Sequence, residues 1–198
     1  MIPEKPYALS CDRNSEPILG ALKEIITNQK SLFEVGAGTG QHAIFMAPHF
    51  PNMFWTLADQ EDRHEGINMW LKDFPRSNVR GPVEYSIGNS EIKGDVDVVF
   101  TANVIHIISW ELSLKLFDDV SQKLPADGLF LIYGAFNYDG KFTSESNEKF
   151  EAWLKEKDPQ SGIRDFEKVV SELSMRSMEL AEDKEMPANN RLLVFKKK

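Results

Sequence analysis

Cysteine is nearly absent: Cys11 is the only one in 198 residues, so no intrachain disulfide can form and nothing in the fold calls for an oxidising compartment. Long apolar runs are missing too. The most apolar stretch, Val96 to Ile108, is broken by Asp97, Thr101, Asn103 and His106 and falls short of the roughly 20 residues that cross a bilayer. The opening MIPEKPYALSC carries two prolines and two charges but no apolar h-region, so no secretory signal is expected, and a cytoplasmic protein without membrane contact is the simplest reading. Positive charge is scarce, with 23 Lys and Arg against 31 Asp and Glu and a net charge of −8. Phosphate backbones are held by clusters of Lys and Arg, so nucleic acid is not the expected partner. The one basic cluster, Lys196-Lys197-Lys198, reads as a solvated end. The four histidines lack metal-ligand spacing: His42 and His49 are seven apart with no partner three or four residues away, so no metal site is expected.

What is present is an ordinary globular composition, 41% hydrophobic and 27% charged, at a length that suits one domain over residues 1–198. Ile18, Leu19, Leu22, Ile25 and Ile26 recur at helical spacing, with Ser15 as N-cap and Pro17 in the first turn. A strand over Leu32–Val35, a glycine turn and a helix from Gln41 follow. Further strands are read in MFWTLAD (53–59), VEYSIG (83–88), DVDVVFTAN (95–103) and GLFLIYGAF (128–136), with helices over Glu61–Phe74, Glu111–Lys123 and Arg164–Met175. The closing SMELAEDKEMPANNRLLVFKKK holds two strand-like runs around a turn, an antiparallel hairpin. The polar stretch from Asn137 to Gly162 reads either as a lid or as an amphipathic helix packing Phe150, Trp153 and Leu154. Helices alternating with apolar strands imply crossover connections and a parallel sheet covered on both faces, with ligands at the carboxyl ends of the strands.

The stretch LFEVGAGTGQH, Leu32 to His42, sets glycine at 36, 38 and 40 behind Glu34. Glycine is costly to order, so this density marks a backbone that needs unusual angles or the close approach of a ligand. The dinucleotide fingerprint G-x-G-x-x-G requires a third glycine three residues after the second, where this chain has Gln41. The spacing instead resembles motif I of the Rossmann-like S-adenosylmethionine-dependent methyltransferases, E-x-G-x-G-x-G. That cofactor has no pyrophosphate to lay on a helix N-terminus, and its sulfonium and ammonium groups favour carboxylates and carbonyl oxygens. Asp59, at the end of FWTLAD, stands where a carboxylate can accept hydrogen bonds from both ribose hydroxyls of either cofactor, which supports the fold more than the choice between them.

More of the chain carries a resemblance. CDRNSEPIL, GAGTGQHA, TANVIHI, YGAF, Ser146-Asn147, GIRD (162–165) and MPANN (186–190), in this order, resemble the small methyltransferase-like family known as domain of unknown function 938. The resemblance implies an α/β, Rossmann-like class I methyltransferase fold: a seven-stranded, mostly parallel sheet with an antiparallel last strand and helices on both faces. It implies S-adenosylmethionine as cofactor, with Glu34, Gly36, Gly38, Gly40, His42, Asp59, Asn89 and Asn103 as its contacts. Two positions depart from the family pattern. Asp12 stands where Glu is usual, and Asn89 stands where an acid commonly receives the adenine amino group, a bond that an asparagine carbonyl can also accept.

Asn103, Ile105 and His106 follow the fourth strand into the crevice. His106 is the candidate general base, with an unperturbed pKa of about 6.5 close to working pH, and the alternative is a histidine that orients backbone or packs beneath the ring of the cofactor. Tyr133, leaving the fifth strand, is the second candidate for the chemistry. Arg13 and Asn14 before the first helix, Phe136, and the paired Asn189 and Asn190 of the hairpin turn are expected to converge on a small-molecule substrate. The function expected is in-line methyl transfer to such an acceptor, which needs alignment and exclusion of water rather than a covalent enzyme intermediate. A cofactor-binding protein acting through a partner and a nucleotide-dependent oxidoreductase are the alternatives.

Overall fold

A computed structural model describes residues 4–198. In chain order the elements are α1 (Leu9–Ile25), β1 (Ser31–Val35), α2 (Gln41–Met46), β2 (Phe54–Asp59), α3 (His64–Asp73), β3 (Val79–Glu84), β4 (Val98–Ala102) and α4 (Val104–Ile107). They continue with α5 (Trp110–Lys123), β5 (Leu129–Asn137), α6 (Glu145–Lys157), β6 (Arg164–Asp165), α7 (Phe166–Met175), β7 (Met178–Met186) and β8 (Asn190–Lys197). Seven strands form one path, β3-β2-β1-β4-β5-β8-β7, while the two-residue β6 pairs with the end of β5. Neighbours from β3 through β5 are parallel, and β8 is antiparallel to both β5 and β7.

The central strands β1, β4, β5 and β8 are buried at odd and even positions alike, so neither face of the middle of the sheet is left to solvent. On one face Leu32, Trp55, Phe100, Leu131 and Leu192 pack with Ile18 and Leu22 of α1, Met46 of α2 and Ile67 of α3. On the other Phe33, Val99, Phe130, Ile132 and Phe195 pack with Leu116, Phe117 and Val120 of α5 and with Val169 and Leu173 of α7. The helix spacing of these apolar residues selects the buried stripes, and Ser109 starts α5 by accepting the Leu112 amide at 3.2 Å. Strand order reverses between β1 and β4, which opens a crevice at their carboxyl ends. No helix among the described residues is long and apolar enough to cross a membrane, and none of their His, Cys, Asp and Glu side chains group in a way that could hold a metal ion.

The fold differs from the sequence reading in four places. The first helix begins at Leu9 rather than at Ser15, because its polar first turns carry no apolar period, and Pro17 lies inside it. Ser15 does not cap; its hydroxyl donates to the Cys11 carbonyl at 2.5 Å. The third strand runs over Val79–Glu84, not 83–88. Gly81 and Pro82 read as breakers, yet β3 is an edge of the sheet, where a missing amide removes no necessary ladder bond. Arg164 and Asp165 pair as strand with Phe136 and Asn137, so the helix starts at Phe166. In the polar stretch after β5, α6 buries Leu154 and part of Phe150, but Trp153 stays half exposed.

Candidate active site

The crevice is built on the glycine turn between β1 and α2. Gly36, Gly38 and Gly40 have φ of 70°, 61° and 81°, left-handed angles that side chains disfavour. A Cβ on Gly36 would lie 2.3 Å from Val104 Cγ2, so the first residue of α4 packs where only hydrogen fits. A Cβ on Gly38 would meet nothing closer than the Gly36 carbonyl at 4.0 Å; that side of the turn is open. The Gly38 amide donates to Asp59 Oδ2 at 2.7 Å, and Gln60 N–H donates to Oδ1 at 2.8 Å. Gly36 and Ala37 amides donate to the Ala58 carbonyl at 2.9 and 3.1 Å, which ties the turn to the end of β2. A cavity of about 290 Å³ borders Gly38 and Thr39, with Pro6, Asp62, Gly66 and Met69 among its other walls.

Residues 5–8 close over this region. The Trp70 indole donates to the Pro6 carbonyl at 2.6 Å, the Ala8 amide donates to Gln41 Oε1 at 2.7 Å, and the Lys5 ammonium lies 4.1 Å from the Trp70 ring centroid. Sequence reasoning missed this segment, because nothing in its composition names α3 as its partner. At the end of β3 the Tyr85 amide donates to the Asp59 carbonyl at 3.0 Å, which brings the following turn beside Asp59; Asn89 is exposed in that turn. Asn103, at φ 61°, donates its amide to the Tyr133 carbonyl at 2.9 Å and leads from β4 into α4.

Glu34 and His42, expected as cofactor contacts, turn inward instead. Glu34 Oε2 accepts the Trp55 indole N–H at 2.7 Å, and Oε1 lies 3.5 Å from His42 Nδ1. His42 Nε2 lies 2.8 Å from Asn14 Oδ1. Both ring nitrogens thus face acceptors, so the imidazole holds two protons. Burial opposes the charge, but hydrogen bonds with the Cys11 thiol and the Glu34 carboxylate push its pKa up to about 10. Asn14 also hydrogen-bonds Tyr133, whose pKa is raised by burial, with the Asn14 bond working against that rise. The result is a buried polar chain from Trp55 through Glu34, His42 and Asn14 to Tyr133, beneath α1 and α2.

His106 is not presented as a base. It is fully buried, and its Nε2 accepts the Ala135 amide at 3.1 Å. β4 ends at Ala102 while β5 continues, so the imidazole bonds an amide beyond the end of β4. Burial, helped by the positive charge of Arg164, holds its pKa down to about 3. The ring is neutral, its Nδ1 carries the hydrogen, and the ring lies edge-on to Phe136 and Phe150. Phe136 is itself fully buried and offers no surface to a substrate. This corrects both residues' expected roles.

The remaining substrate candidates do not form one pocket. Asn189 and Asn190 line a cavity of about 400 Å³ with Tyr138, Thr143, Met186 and Arg191. Arg13 is exposed on α1, while Asn14 and Tyr133 belong to the buried chain, and none of the three lines that cavity. The buried Asn147 braces the hairpin turn by donating to the Asn189 carbonyl at 3.3 Å.

The strand order and crevice define a Rossmann-like methyltransferase fold. Solved structures agree at low sequence identity. The S-adenosylmethionine-dependent methyltransferase SibL in its apo form superposes with a TM-score of 0.81 at 17% identity, over 95% of this chain and 55% of that one. Human N-acetylserotonin methyltransferase in complex with SAM gives 0.80 at 14% identity, over 95% and 52%. An O-methyltransferase family 2 protein from Planctomyces limnophilus DSM 3776 in complex with apigenin gives 0.81 at 12%, over 96% and 60%. The chain therefore spans little more than half the length of these proteins. It belongs to the family described as Protein of unknown function (DUF938), whose profile matches residues 5–197.

Proposed function

We propose that this chain is an S-adenosylmethionine-dependent methyltransferase acting on a small molecule. The observation that carries the reading is the open side of the glycine turn, where Gly38 has a left-handed φ, free space in place of a side chain, and an amide fixed by Asp59. The glycine turn and Asp59 would hold the adenosine, Asn89 the adenine edge, and Asn103 with the α4 turn the amino-acid end. Gln41 favours this cofactor over a dinucleotide. Its side-chain oxygen accepts from Ala8 N–H and the Thr39 hydroxyl beside the first turn of α2, where a pyrophosphate would lie. Bound S-adenosylmethionine supplies a methyl group on a positively charged sulfur. The chain's part is to align the acceptor and exclude water. With His106 neutral and enclosed, the acceptor atom attacks with a lone pair that is already free, without a proton to surrender to this histidine. The net charge of −8 and the cavity beside Asn189 and Asn190 support a small acceptor over nucleic acid.

Calorimetric titration tests the cofactor: S-adenosylhomocysteine should bind and NAD should not. Tight NAD binding with no response to S-adenosylhomocysteine would sink the assignment. Labelled S-adenosylmethionine incubated with fractionated cell extract then finds the acceptor, and label on RNA or DNA would refute a small one. The withdrawal of His106 from the crevice also favours a second reading, a cofactor-binding protein that acts through a partner. Binding without label transfer to any fraction would select it.

A further inference from the structure

The motif GIRD, Gly162 to Asp165, has no part in the roles above, yet it grips the crevice wall. At four residues, α4 is too short for its carbonyls to find partners within the helix. Arg164 supplies them from outside. Its Nε donates to the Ile105 carbonyl at 2.8 Å and its Nη2 to the Ile108 carbonyl, with a third bond back to Gln160 at 3.2 Å. The Gly162 amide takes the carbonyl in between, donating to His106 O at 2.8 Å. Glu151 fixes this loop in turn by accepting the Ile163 amide at 2.5 Å. The other end of α4 is Val104, which packs against Gly36 so closely that a Cβ there would be 2.3 Å from it. Whatever sets α4 therefore sets the spacing between the two walls of the crevice. A guanidinium bridges several carbonyls in one plane; an ammonium is a point donor and cannot.

We propose that Arg164 is a positioning residue: it holds α4 against the glycine turn and thereby sets the grip of the crevice on the amino-acid end of its cofactor. The inference rests on the cofactor reading above. Its test is calorimetric titration of S-adenosylhomocysteine into wild type, R164K, R164M and L173A, the last a core variant in α7 that loses stability while keeping the guanidinium. Wild type and L173A should bind alike, whereas R164M and R164K should bind at least tenfold more weakly. Methylguanidinium added to R164M should recover most of the lost affinity and leave the other three unchanged. Wild-type affinity in R164M would overturn the proposal, as would an equal loss in L173A, which would tie binding to stability alone. Should R164M fail to fold, R164K decides on the same terms. A wild-type protein that binds no S-adenosylhomocysteine refutes the cofactor reading itself, an outcome distinct from the other two.

Discussion

Replacing Glu34 by glutamine removes one charge from a pair buried beneath the glycine turn, and the structure fixes what should follow. Side-chain exposure is 2% for Glu34 and 6% for His42, so solvent screens neither. In the folded chain the His42 pKa lies near 10, above the unfolded value of about 6.5. The folded state thus binds one more proton than the unfolded state between these values. That stabilisation is complete below pH 6.5 and is lost as pH rises through 10, at about 1.4 kcal/mol per pH unit within the window. In E34Q the amide oxygen still accepts from Trp55, but the carboxylate facing His42 is gone, so the ring loses one of the two partners that hold it charged, the Cys11 side chain being the other. At pH 6 the variant should be less stable by about 3–5 kcal/mol, the usual cost of breaking a buried ion pair. The gap should close as pH approaches 10. Urea unfolding followed by tryptophan emission at several pH values from 6 to 10 measures it, and lysine and tyrosine titrations cancel between the two proteins. Parallel stability curves for wild type and variant would refute the reasoning.

Three further outcomes are expected. G36A combines a left-handed φ of 70° with a 2.3 Å contact to Val104, and should cost about 2–5 kcal/mol by chemical denaturation; adding V104A should recover the part due to the clash. His106 is neutral in the fold and charged in the unfolded chain below pH 6.5, so wild type should lose stability as pH falls from 6.5 towards 3. H106F should lack that loss and be about 1–3 kcal/mol less stable at pH 7, because the Ala135 amide is left unpaired. D59A should weaken S-adenosylhomocysteine binding by about ten- to a hundredfold in calorimetry, the scale of a hydrogen bond to a charged acceptor.

The sequence disclosed those parts whose meaning is local. Glycine at 36, 38 and 40 encodes a backbone path, and all three adopt the angles that only glycine takes easily. The apolar runs of β1, β4 and β5 announce a sheet buried on both sides. Histidine carries no such local meaning. The role of His106 depends on β4 stopping at Ala102 while β5 continues to Asn137, a difference in strand length that leaves the Ala135 amide for the ring. Glu34 was legible as a motif residue but not in its direction, since its partner Trp55 sits on a neighbouring strand and its other partner on α2. Asn14 and Asn190 are the same residue type, yet Asn14 lies inside α1 and belongs to the buried chain, while Asn190 borders an open cavity.

The placement of β8 bears on how the sheet avoids pairing with other copies of itself. The sheet's two finished edges are protected: β3 carries Pro82 and Arg80, and β7 carries Glu179, Glu182, Asp183, Lys184 and Glu185. Its interior strands carry no such protection, and β5 is buried along eight of its nine residues. β8 comes last in sequence among the strands and inserts between β5 and β7. Until it does, two bare rows of amides and carbonyls stand open, one of them on the most apolar strand of the sheet, and either can recruit a strand from another copy. Damage to residues 190–197 is thus expected to cause aggregation rather than a mere loosening of the hairpin, because the lesion uncovers the one place where the sheet has no defence against its own kind.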